Sequence, residues 1–159
     1  MFIKPDYNLN SIFDINLEEL KRSGIKIILS DLDSTIMPSK SGEFPDNVMN
    51  WIYKVRQDFD FAVISNNKKD EYINTVKSKC DFDVIGRANK PFCKVMREYL
   101  SSKNYLPKDA VMVGDRPLTD IVAGKLLGCK TILVDSITKD TEKPIVRFVR
   151  FCERLTIKK

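Results

Sequence analysis

The 159 residues include no histidine. That absence excludes a Ser-His-Asp triad, a Cys-His dyad and any zinc, di-iron or haem site that needs imidazole. Acid–base chemistry near neutral pH is left to Asp, Glu, Lys, Tyr or Cys. A metal would have to be held by oxygen or thiolate. Cysteine is sparse as well. Cys80, Cys93, Cys129 and Cys152 are far apart and form no CxxC, which excludes a zinc ribbon and a redox motif. No apolar run approaches the ~18–20 residues of a membrane span. The opening MFIKPDYNLN lacks the apolar stretch of a secretory leader. Reduced thiols and a cytoplasmic location, with peripheral attachment to membrane left open, are the expectation.

What is present describes a globular chain. The hydrophobic fraction is 43% and the charged fraction 31%. One domain over residues 1–159 is expected from the length. Lys and Arg number 27 against 22 Asp and Glu, a net +5 that permits an anionic partner without requiring one. Aromatics are 9% and are not interleaved with basic residues, which argues against a nucleic-acid stacking surface.

Strand and helix patterns alternate along the chain. Residues 25–31, 61–65, 82–85, 110–113 and 131–134 are short apolar runs rich in β-branched residues, as buried strands are. Asn16 with Glu19 three positions on predicts a capped helix that Gly24 ends. Val48, Trp51, Ile52 and Val55 mark a second helix face. Asn66-Asn67 can cap a third, Pro91 can open a fourth, and Gly128 can close a fifth. A last helix is expected from about Lys143 to Leu155. This alternation predicts an α/β fold with a five-stranded, mainly parallel sheet covered by helices on both faces.

Polar residues follow four of the strands at once: Asp31 and Asp33, then Ser65-Asn66-Asn67, then Asn89-Lys90-Pro91, then Gly114-Asp115 with Asp120. In a parallel sheet all four clusters meet at one rim, where such folds bind ligands. Asp31 and Asp33 are two apart and point to one side of an extended segment. Their mutual repulsion calls for a cation, and Asp115 would add a third carboxylate. Hard oxygen donors suit Mg²⁺. Lys90 would then be a fixed charge for a phosphoryl oxygen, with Ser65 and neighbouring N–H groups as donors. Each feature alone has a plainer reading: DxD as a turn, Ser65 as a cap, Lys90 as a solvated lysine, Asp115 as a turn opener, Asp120 as an exposed helix residue. Their conjunction favours a site.

SDLDSTI resembles the DxDx[T/V] signature of the haloacid dehalogenase (HAD) superfamily. FAVISNN resembles its second motif, NKP its lysine motif and VMVGDRPLTD its acidic fourth motif. The flanks PDYNLNSIFDINLEELKRSGIK and EKPIVRFVRFCERL look like the YqeG-type HAD-IIIA phosphatases, which are related to mitochondrial phosphatidylglycerophosphate phosphatases. The resemblance implies a Rossmann-like HAD core and an aspartyl-phosphate mechanism. In it Asp31 is the nucleophile and Asp33 the general acid and base. Mg²⁺ is held by Asp31, the Asp33 backbone carbonyl and Asp115. Ser65, Asn66 and Lys90 bind the phosphoryl group, and Thr35 and Asp120 support the site.

Only 29 residues separate Thr35 from Ser65 and 24 separate Ser65 from Lys90, too few for a cap domain. An uncapped site suits a bulky phosphate ester such as a phospholipid headgroup. A nucleic-acid end, a phosphoprotein, or a binding protein without turnover remain the alternatives. In the last helix Ile145, Phe148, Val149, Cys152 and Leu155 share one face, and Arg147, Arg150 and Arg154 the other. The apolar face is expected to pack on the sheet. The arginines, with Lys143, Lys158 and Lys159, would then face water or an anionic membrane, with Phe151 between the faces as an insertion residue.

Overall fold

The computed structural model of the chain describes residues 3–157. Its sheet has six strands: β1 (Tyr7–Asn8), β2 (Ile27–Ser30), β3 (Asp60–Ile64), β4 (Asp83–Ile85), β5 (Ala110–Gly114) and β6 (Lys130–Leu133). Their order is β1-β6-β5-β2-β3-β4, and every pairing is parallel. Five strands lie where the apolar runs predict them. β1 is the addition, a two-residue edge with no alternation to betray it. The Asp6 carboxylate secures it, accepting from the Thr131 N–H (2.8 Å), the Thr131 hydroxyl (2.9 Å) and Lys125 Nζ (2.8 Å).

Helices cover both faces. α1 (Leu17–Arg22), α2 (Asp46–Val55) and α3 (Asp70–Lys77) pack on the face that carries Ile28, Val63 and Val111. α4 (Lys94–Ser102) and α5 (Val122–Leu127) pack on the face that carries Leu29, Ile64 and Met112. The inward stripe of α2 is the expected one, Val48, Trp51, Ile52 and Val55. Trp51 and Phe82 both meet Phe61 edge to face.

The local signals are met in part. Asn16 caps α1, accepting from the Glu19 N–H at 3.0 Å. The Glu19 carboxylate does not reach back to the cap; it accepts from the Tyr7 hydroxyl at 2.8 Å and ties α1 to β1. α3 starts at Asp70, three residues beyond the expected Asn66-Asn67 cap. Asn67 instead closes a turn by accepting from the Lys69 N–H. α4 starts at Lys94, three residues after Pro91, and the Lys90–Pro91 peptide is cis.

The last helix, α6 (Pro144–Arg154), inverts the expected packing. Ile145, Phe148, Val149, Phe151 and Leu155 are exposed, and Glu153 is the buried residue of the helix. Both faces of the sheet already carry helices, so no apolar surface waits for α6. Acidic groups at the carboxyl rim orient it instead. Arg150 pairs with Asp115 and Glu142, and Arg154 pairs with Asp135 and donates to the Val134 carbonyl. Arg116 pairs with Glu153. Lys158 and Lys159 lie outside the described residues.

The chain between Thr35 and Ser65 holds a loop, α2 and β3, and that between Ser65 and Lys90 holds α3 and β4. No cap domain is inserted at either point. A wall nevertheless comes from the C-terminal side: Thr138, Thr141, Glu142, Lys143, Val146 and Arg150 line the same cleft as the carboxyl ends of the strands.

Candidate active site

β2 lies between β3 and β5, and the chain leaves it toward β3 on one side and returns to β5 on the other. Such a reversal opens a crevice at the carboxyl ends of the strands. Here it holds a cleft of about 580 Å³ lined by Asp31, Asp33, Ser65, Asn66, Lys90 and Asp120 among others. The ladder fixes the two central strands: the Asp31 N–H donates to the Val113 carbonyl at 2.9 Å.

Lys90 organises the floor. Its ammonium donates to Asp31 Oδ1 at 2.7 Å, Asp120 Oδ1 at 2.8 Å and the Ile64 carbonyl at 2.7 Å. The residue is 4% exposed, so it is no solvated surface lysine. Burial alone would lower its pKa; the charges of Asp120 and Asp31 overcome that and hold it above its ordinary value. Lys90 therefore stays charged, with all three donor directions used.

Three carboxylates converge. Asp31, Asp115 and Asp120 each bring an oxygen within 4.8 Å of the others. Burial, then the facing Asp31 and Asp120 charges, push the pKa of Asp115 up; Arg150 and Thr35 oppose them. Burial and the Asp31 charge likewise push Asp120 up, against Lys90. An all-oxygen set held this close at the cost of its own repulsion fits a hard divalent cation. The resemblance puts Asp31, Asp115 and the backbone carbonyl of Asp33 around the ion; the side-chain cluster contains the first two and adds Asp120.

Asp33 is held elsewhere on the rim. Its Oδ1 accepts from the Lys40 N–H and from the Tyr72 hydroxyl, both at 2.7 Å. Tyr72 also reaches Met37 Sδ at 3.3 Å, so one α3 residue pins both the carboxylate and the loop after β2. Thr35 bridges two carboxylates, donating to Asp115 Oδ1 at 2.8 Å, with Asp31 Oδ2 at 3.4 Å. The Ser65 hydroxyl accepts from the Asn67 N–H at 3.1 Å, which leaves its proton free for a ligand in the cleft. Asn66 lines the cleft, and its side chain has a second task. It donates to the Lys90 carbonyl at 2.9 Å and accepts from the Lys90 N–H at 2.7 Å, so it fixes the lysine loop with both ends of its amide.

Asp120 reaches the cluster because residue 114 is glycine. A Cβ there would lie inside contact distance of the Asp120 carboxyl and Cβ. The turn over Pro117–Ile121 folds Asp120 back over the end of β5, and its Oδ2 accepts from the Arg116 N–H.

Tyr72, Glu142 and Arg150 were not anticipated as site residues. Tyr72 reads in sequence as one more apolar position of α3. Arg150 carried a signal, since it lies opposite the apolar face of α6, but periodicity does not say which face turns inward.

The family model described as mitochondrial PGP phosphatase matches residues 1–138. The probable phosphatase YqeG of Bacillus subtilis is 28% identical over 153 residues, covering 96% of this chain and 88% of that protein. The chloroplastic/mitochondrial phosphatidylglycerophosphate phosphatase 1 of Arabidopsis thaliana is 28% identical over 167 residues, which cover 99% of this chain and 48% of that relative. The chain thus spans about half the length of the plant protein. A 2-haloacid dehalogenase from Pseudomonas syringae shares the fold with a TM-score of 0.50 at 14% identity, over 75% of this chain and 89% of the other. An uncharacterized protein from Listeria monocytogenes gives 0.57 at 15% identity, over 80% and 99%. The chain belongs to the mitochondrial PGP phosphatase family, is a phosphatase similar to YqeG, and has the fold of the haloacid dehalogenase neighbour.

Proposed function

We propose that the chain is a Mg²⁺-dependent phosphomonoesterase that works through an aspartyl-phosphate on Asp31 and acts on a phosphatidylglycerophosphate-like lipid. The observation that carries the chemistry is the Asp31 carboxylate on the cleft wall, held by Lys90 at 2.7 Å beside Asp115 and Asp120. The name of the Arabidopsis relative and the absence of an inserted cap support the lipid.

Asp31 attacks phosphorus and forms the Asp31–phosphorus ester as the bond to the substrate's leaving oxygen breaks. Asp33 gives that oxygen its proton. It then takes a proton from water, whose oxygen attacks phosphorus and frees Asp31 and inorganic phosphate. Lys90 stays charged throughout, and as Asp31 attacks, the donor now on Asp31 turns to an equatorial oxygen of the transferring group. Ser65 donates to another. Asp31, Asp115 and Asp120 would hold Mg²⁺, which would neutralise charge on the phosphoryl group. Arg150 would leave Asp115 as the ion enters.

The test compares wild type with Asp31→Asn on an aryl phosphate in Mg²⁺, then on phosphatidylglycerophosphate in mixed micelles. Turnover should disappear in the variant. Equal turnover removes Asp31 as nucleophile, and an active enzyme that ignores the lipid removes the substrate assignment alone.

A further inference from the structure

α6 presents two unlike faces. Arg150 and Val146 line the cleft, while Phe148 (64% exposed), Leu155 (63%) and Ile145 (72%) point away from the protein. Among the described residues nothing covers that outer face. Single exposed apolar side chains are ordinary, but an apolar stripe along a whole helix is not. Its borders are basic: Lys143 and Arg147 are exposed, and Arg147 makes no ion pair among the described residues.

We infer that α6 lies flat on an anionic phospholipid bilayer, with Ile145, Phe148 and Leu155 in the acyl boundary and Arg147 and Lys143 at the headgroups. The helix has the required parts, a low-charge apolar stripe flanked by cations. Charge decides between a bilayer and a second copy of the chain. A two-fold contact would set the same patch against itself, Arg147 against its own copy included, and among the described residues Arg147 makes no ion pair. Anionic lipid answers both the apolar stripe and its cationic border. The contacts on the inner side explain why the stripe is available: the arginines that would otherwise face water are bound to Asp115, Glu142 and Asp135. A docked α6 would hold Arg150, on its cleft face, about one helix diameter, ~10 Å, from the bilayer surface, with Lys143 at the end of the helix where cleft and bilayer meet.

This placement gives the lipid reading its route to substrate and rests on it to that extent; vesicle binding itself needs no turnover. The test is co-sedimentation of the whole chain with phosphatidylcholine vesicles, with and without phosphatidylglycerol. Wild type should bind the anionic vesicles. Phe148→Glu and Leu155→Glu should each weaken binding roughly tenfold or more while leaving aryl-phosphate turnover and melting unchanged. Arg147→Glu should weaken it about five- to tenfold, with loss of salt sensitivity. Three results overturn the inference: no wild-type sedimentation, equal sedimentation of the Phe148 and Leu155 variants, or a wild-type dimer by light scattering that Phe148→Glu splits without any vesicle binding. Vesicle binding without hydrolysis of the lipid phosphate would leave the docking face standing and remove the substrate.

Discussion

The hydroxyl of Tyr72 donates to Oδ1 of Asp33 at 2.7 Å. Burial and the facing carboxylate hold the phenol well above its ordinary pKa, so it remains a donor at any working pH. The same carboxylate must swing between leaving group and water in the proposed reaction. Tyr72→Phe removes the anchor and keeps the ring. We expect kcat on an aryl phosphate to fall roughly 3- to 30-fold, a fraction of what a general acid supplies. Stability should fall by about 1 kcal/mol. Unchanged kcat in steady-state assays would mean that Tyr72 serves only the loop.

Arg150 and a divalent cation compete for Asp115. Arg150→Ala leaves the carboxylate cluster with less positive charge. Metal-free protein should lose roughly 3 kcal/mol of stability, because Asp115 is left buried without its partner. Mg²⁺ should bind roughly three- to tenfold tighter, since a cation no longer has to be displaced. Calorimetric titration of metal-free protein reads the second effect directly, and weaker binding would make Arg150 a helper of the ion instead of its rival.

The raised pKa values of Asp115 and Asp120 fix the sign of a pH effect. Below the ordinary carboxylate range both states are protonated, and the cluster's repulsion is absent. As pH rises toward the folded values, the unfolded chain loses these protons first. The stability contributed by the protonated cluster therefore declines through that window, from about 4 to about 7. Mg²⁺ should reverse the decline. Its stabilising increment, about 2.7 kcal/mol at a hundredfold excess over Kd, should be small at acid pH and grow toward neutrality. Thermal melts with and without Mg²⁺ across that range check it, and an increment independent of pH would place the ion elsewhere.

Gly114→Ala puts a methyl group where the Asp120 carboxyl sits. The turn over Pro117–Ile121 has to move, and Lys90 loses a partner. A loss of about 3 kcal/mol in denaturant unfolding is expected. Activity should fall with it in whatever fraction still folds. A neutral substitution would show that the turn is looser than its packing implies.

How far the sequence carried these conclusions depends on the kind of signal. Ile27–Ser30 and Ala110–Gly114 were legible because buried parallel strands are continuous apolar runs. Asp31, Lys90 and Asp115 were legible because each follows such a run. Asp33 was legible as a site residue, but its two donors are not: Tyr72 lies 39 residues away and Lys40 acts through its backbone. β1 was invisible because two polar residues show no period. α6 was found with its faces correctly divided, yet turned the wrong way. An amphipathic pattern says which residues share a side. Only the acidic rim around Asp115, Asp135 and Glu142 says which side is in.

The pairing of Tyr7 with Ile132 and Asn8 with Leu133 joins the opening of the chain to its last strand. During synthesis the first strand has no partner until residues 130–133 have left the ribosome. The sheet can grow outward from β2 and β3 much earlier, because those strands are close in sequence. Closure of the β1 edge is thus a late event in the life of each molecule, and Asp6 remains unpaired until Thr131 and Lys125 arrive. Chains stalled before that point would carry an open β5 edge, the geometry that invites pairing with a neighbour on the same polysome.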